Sequence, residues 1–165
     1  MTEPILPAGA RADPDFPGWY GWMIMSADSF AAQTGKMIFQ PREPGHAVVR
    51  MFPEERHMNM GGSIHGGAVM SFIDMALFSG GFCAGMARGH YVTLEMSTKF
   101  IARGQSGTPL DAHVGLLKQT PGGLVFIAGH CEQDGAICYS FTGTLKRIKT
   151  RSETGDLPSS DDRRR

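Results

Sequence analysis

The sequence predicts an α+β fold in which one long central helix is wrapped by an antiparallel sheet of about six strands. Three observations lead there. Residues 68–82 are almost all apolar or small, with Asp74 their sole charge, as in a helix buried on every side. Residues 91–101 then alternate in β-branched and aromatic types. Pro121-Gly122-Gly123 and Asp134-Gly135 punctuate the C-terminal third as hairpin turns. A buried helix needs a layer around it, and one large sheet supplies that layer by curling over it.

The elements follow in order. Residues 1–18 are proline-rich and read as an extended N-terminal arm. Residues 19–33 carry Trp19, Tyr20, Trp22 and Phe30 at mixed helical spacing, predicting a short helix whose aromatics need a surface to cover. Residues 36–40 and 46–52 read as strands joined by the turn chemistry of Pro41-Arg42-Glu43-Pro44-Gly45. A loop over 53–64 leads into a helix from about Gly66 to Cys83. Strands over 91–101, 109–117, 122–132 and 136–148 complete a four-strand meander. A single domain is thus expected over 19–149. Residues 150–165, ending Asp161-Asp162-Arg163-Arg164-Arg165, read as a disordered polar tail.

Composition narrows the function. With 41% hydrophobic and 19% charged residues, the 165-residue chain can bury a real core. Its 16 basic residues balance its 16 acidic ones, so nothing predicts a nucleic-acid or membrane-surface partner. Cys83, Cys131 and Cys138 fit neither a disulfide framework nor a zinc pattern, which suits reduced thiols and a cytoplasmic protein. No run reaches the roughly 20 uninterrupted apolar residues of a membrane span.

The chemistry concentrates between Asn59 and Asp74. Gly66 stands where a loop turns into the helix, offering backbone N–H groups that can stabilise an oxyanion. Asp74 is a carboxylate in an apolar helix, expensive unless it is used or paired, and suited to act as base or nucleophile. Eight residues separate the two along one helix, about 12 Å and a turn of roughly 80°. One small reacting group cannot touch both. If they share a site, the aspartate comes from a second copy of the helix.

Each residue also has a plainer reading. Gly66 and Gly67 would let the helix pack closely. Asp74 would cap a backbone group or pair with an arginine, and Asn59 would close a turn. His65 would be a hydrogen-bonded structural histidine, and Arg103 a solvated strand-end arginine. His57, His65 and Asp74 match no zinc spacing, and Asp74 lies too far along the helix from His65, so no metal is expected.

The Asn-x5-His-Gly-Gly-x6-Asp pattern formed by Asn59, His65, Gly66, Gly67 and Asp74 resembles that of the hot-dog fold acyl-CoA thioesterases, specifically the phenylacetic-acid-degradation (PaaI-like) group. The element order is similar too, over about residues 30–148. The resemblance implies hydrolysis of an acyl-CoA thioester with no cofactor, coenzyme A being part of the substrate. It assigns the Gly66 N–H to the thioester carbonyl and Asp74 of a partner subunit to water activation or direct attack. It places Asn59 and His65 beside the reacting groups and Thr93 near the water. Beside these, Gly67 and Arg103 are candidate substrate contacts, Arg103 for a CoA phosphate. It also implies a homodimer, commonly a dimer of dimers. Two rivals share the fold: an acyl-CoA-binding module without turnover, and a dehydratase or hydratase. The latter places Asp-x4-His before the helix, an order this chain reverses.

Overall fold

The computed structural model describes residues 6–22 and 28–149. One antiparallel sheet of eight strands packs against one side of one long helix. The strands are β1 (Ala10–Ala12), β2 (Tyr20–Trp22), β3 (Met37–Pro41), β4 (His46–Met51), β5 (His90–Phe100), β6 (Leu110–Gln119), β7 (Leu124–Gln133) and β8 (Ala136–Ile148). They lie in the order β1-β2-β3-β4-β6-β7-β8-β5, which leaves β5 at an edge. The helix α1 spans Gly66–Cys83. Single turns of 3-10 helix occur at Phe30–Thr34 and Glu55–His57.

Six of the eight strands coincide with the expected ones. The other two lie toward the N-terminus. The short helix expected over 19–33 is replaced by β2 and by the 3-10 turn at Phe30–Thr34, with 23–27 outside the described residues. Tyr20 and Trp22 flank Gly21, and this period of two sends both rings to one face, where Trp22 meets Phe39 edge-on at 5.4 Å. Within the arm, β1 pairs with β2. Lys36 holds the arm down, its Nζ 3.0 Å from Asp13 and 3.1 Å from Asp15. The Arg50 guanidinium lies 4.7 Å from the Trp19 ring. Phe30 alone of the four aromatics finds no cover, at 75% exposed. The tail over 150–165 is outside the described residues.

The core sits between α1 and the inner face of the sheet. Val69, Phe72, Ile73, Ala76 and Leu77 of the helix are fully buried against Val49, Ala112, Val114, Ile127 and Leu145. Contact with β6 is close at Gly80, where a Cβ would stand 2.6 Å from a Val114 methyl. By length and composition α1 would cross a membrane, but half of it is buried inside the fold. Within one chain the sheet covers only one side of α1. Met70, Asp74, Phe78 and Phe82 are half-exposed, where the sequence predicted burial on every side.

Candidate functional site

The loop before α1 is pinned from several directions. Ile64 N–H donates to Gly104 O, and His65 N–H to His57 O. Asn59 folds the loop on itself: its Oδ1 accepts from Gly61 N–H at 2.8 Å and Ser63 N–H at 3.2 Å, and its Nδ2 donates to Ser63 Oγ. A side-chain carbonyl taking backbone donors two and four residues on is a turn-closing arrangement. Asn59 therefore has the turn role its residue type suggests, and it also lines a cleft beside Gly66.

His65 caps the helix. Its Nδ1 accepts from Gly67 N–H at 2.9 Å, and its carbonyl takes the first helical bond, from Val69 N–H. The ring is thereby fixed as an acceptor at Nδ1. The first N–H groups of a helix have no partners within it. With Gly67 satisfied by the imidazole, Gly66 N–H keeps no protein partner among the described residues. It borders a cleft of about 390 Å³ with Asn59, Phe100, Arg103 and Tyr139. A Cβ on Gly66 would meet the Phe100 ring at an ordinary van der Waals distance of 3.6 Å, so an alanine fits here without a clash.

Tyr139 was not singled out in the sequence. It is buried at an inward position of β8, and its hydroxyl accepts from Gly104 N–H at 3.1 Å, which fixes the loop carrying Arg103. Burial pushes the Tyr139 phenol above its usual range. Arg103 is exposed and makes no ion pair among the described residues.

Asp74 stands eight residues along α1 from Gly66. It is half-buried rather than sealed in the core, and it is not isolated: Thr93 Oγ1 donates to Asp74 Oδ1 at 2.7 Å. A β-bulge between Thr93 and Glu95 sits beside this contact. Such bulges re-aim side chains near sites.

The predicted residues thus fall into three places on one chain. Asn59, Gly66 and Arg103 line one cleft. Asp74 and Thr93 form a pair further along the helix. His65 and Gly67 border a second cavity, of about 420 Å³, with Phe30 and Ser71. His57, weighed as a metal ligand, has both ring nitrogens engaged, Nδ1 accepting from Glu54 N–H and Nε2 3.0 Å from Gln33 O. Among the described residues the cluster with metal-ligand geometry is a different one, His113, His130 and Glu132.

Residues 61–121 match the sequence profile of the Thioesterase superfamily, a segment holding every predicted site residue except Asn59. The PaaI protein of the E. coli phenylacetic acid degradation operon superposes with a TM-score of 0.63 at 22% identity, over 74% of this chain and 86% of that one. The chain has the hot-dog fold. Two further hot-dog structures resemble it and carry the coenzyme. A hypothetical thioesterase from Streptococcus pneumoniae with coenzyme A has a TM-score of 0.61 at 19% identity, over 71% of this chain and 92% of that one. A Streptococcus mutans protein bound to acetyl CoA has a TM-score of 0.59 at 18% identity, over 68% of this chain and 89% of that one. No curated protein matches the sequence.

Proposed function

We propose that this protein hydrolyses acyl-CoA thioesters at sites built by two copies of the chain. The observation that carries the reading is the unpartnered Gly66 N–H at the start of α1, bordering a cleft and separated along the helix from the Asp74–Thr93 pair. The first is an oxyanion donor, and the second a carboxylate held in place for base or nucleophile chemistry. A two-fold arrangement that sets two α1 helices side by side would bring the Asp74 of one chain to the Gly66 of the other. The exposed edge of β5, with Val92, Leu94 and Phe100 uncovered, and the half-exposed Met70, Phe78 and Phe82 of α1 offer an apolar surface for that pairing. The coenzyme bound to the two streptococcal proteins supports a CoA ester as substrate.

In this reading the thioester carbonyl oxygen accepts from Gly66 N–H. Attack on the carbonyl carbon, by water that gives its proton to Asp74 or by the Asp74 carboxylate itself, puts negative charge on that oxygen. One preorganised donor is worth about 3–4 kcal/mol in such a step. Collapse breaks the C–S bond and releases the CoA thiolate, which takes a proton. On the direct-attack route, water then hydrolyses the acyl–aspartate anhydride. A thiolate leaves readily, so the site needs no strong general acid. Release of free thiol from a panel of short, long and aromatic acyl-CoAs tests the reading. Binding of CoA esters with no thiol release from any of them would overturn it in favour of a binding module.

A further inference from the structure

β6 and β7 set three metal-ligating side chains together on the outer face of the sheet, away from α1. His113 and His130 are cross-strand partners, and Glu132 follows His130 by two residues, so all three project to the same side. On the inner side the neighbouring Ala112, Val114 and Cys131 are packed in the core. The two imidazoles stack with centroids 4.8 Å apart and planes 13° from parallel. Glu132 reaches toward both: its Oε1 lies 3.2 Å from His113 Nε2 and its Oε2 3.8 Å from His130 Nε2. The three ligand atoms fall within 4.8 Å of one another.

One of these atoms is conspicuously unsatisfied. The approach of His113 Nε2 to the carboxylate is off the line of a hydrogen bond, and the nitrogen is buried with no hydrogen-bond partner among the described residues. A buried polar atom in that condition is destabilising until it finds a partner. The neighbouring acid does not relieve it, because Asp111 is held by Arg50 through two bonds of 2.6 Å. The proposed hydrolysis uses none of these groups.

We propose that His113, His130 and Glu132 form a binding site for a divalent transition-metal ion of the zinc class, with the remaining coordination positions open to solvent. Two imidazoles and one carboxylate suit zinc, whereas magnesium and calcium take oxygen donors and the softest ions seek thiolates. Zinc bonds of about 2.0–2.2 Å at tetrahedral angles place donors roughly 3.3–3.5 Å apart, so the three ligand atoms, now within 4.8 Å of one another, must draw together as the ion enters. Near-parallel rings cannot both aim in-plane lone pairs at one point, so at least one ring turns about its broad χ2 well as the ion enters.

The test uses the full chain, stripped with chelator and titrated with zinc chloride alone. Calorimetry should give one strong site per chain, and zinc should raise Tm. In long-range nitrogen NMR the rings of His113 and His130 should shift together, apart from the four other histidines. Glu132→Gln, nearly isosteric, should weaken binding by about tenfold or more, and the double variant His113→Gln with His130→Gln should lose it. Circular dichroism confirms that each variant is folded. No zinc uptake by the wild-type chain, or unchanged affinity in a folded Glu132→Gln protein together with ring shifts at other histidines, would overturn the site.

Discussion

Thr93 Oγ1 donates a 2.7 Å hydrogen bond to Asp74 Oδ1, joining the edge strand β5 to the middle of α1. The bond fixes one carboxylate oxygen, Oδ1. In the proposed reaction Thr93 would act by positioning Asp74, a contribution that can be separated from that of Asp74 itself.

Replacing Asp74 by Asn should lower kcat by roughly 10²–10⁴-fold with the fold intact, because the acceptor of the proton, or the nucleophile, is gone. Thr93→Val should cost about 10–100-fold, the value of a hydrogen bond to a charged group. Its effect should fall on kcat more than on KM. Thiol release and circular dichroism check both. A folded Asp74→Asn protein that keeps most of its activity would remove Asp74 from the mechanism.

Asn59 is the residue for which turn closure and catalysis are hardest to separate, since its Oδ1 serves Gly61 and Ser63 N–H while its side chain lines the Gly66 cleft. Asn59→Ala should lower Tm, each lost bond being worth about 1 kcal/mol. It should also lower kcat more than it raises KM. Asn59→Asp keeps an acceptor for the loop and should recover most of the Tm loss. It places a second negative charge near the developing oxyanion, so kcat should stay low. Recovery of both together would leave Asn59 a turn residue and nothing more.

The helix start and the hairpins were legible in the sequence because glycine and proline punctuate them: α1 begins at Gly66, and the β7–β8 hairpin turns at Asp134-Gly135, both with positive φ. The resemblance pointed to Thr93 as a residue near the water, but its bond to Asp74 depends on how β5 lies against α1 and left no trace in the sequence. The two N-terminal strands were not, since three residues are too few to show a period, and their position depends on pairings such as Lys36 with Asp13, 23 residues apart. Tyr139 looked like any inward β8 residue until Gly104 was seen bonded to its hydroxyl. The His113–His130–Glu132 group leaves only a His-x-Glu trace at 130–132, because its third member is set by strand register.

Cys83 tests the burial of the helix C-terminus. Burial pushes its thiol from 9.0 up to about 12. The folded state therefore holds a proton that the unfolded chain releases above about pH 9. The stability this contributes is whole below pH 9 and is lost as pH rises toward 12. Denaturant midpoints across that range should fall more steeply for the wild type than for Cys83→Ala. At neutral pH, thiol reagents should leave the activity largely unchanged, since the three cysteines are buried and none lies in the motif. Chelators should do the same, because the proposed zinc site lies across the sheet from α1. Loss of activity in chelator, restored by one divalent ion, would place a metal in the reaction.

The decisive experiment for a shared site mixes two dead chains. One carries Asp74→Asn. The other carries Gly66→Val, whose added methyls would enter the cleft that a bare Cβ only borders, at 3.6 Å from Phe100. Each homodimer should be inactive. In a mixed dimer, one site joins the intact Gly66 of the first chain to the intact Asp74 of the second, and the other site carries both defects. Random pairing makes about half the dimers mixed, each with one good site of two, so about a quarter of wild-type activity should return. If Gly66 and Asp74 worked within one chain, every site in every mixture would hold a defect and nothing would return. Co-purified, folded and demonstrably mixed dimers that stay dead would therefore reject the shared site. Gly66→Ala, which fits at ordinary contact distance, controls for damage to the helix start.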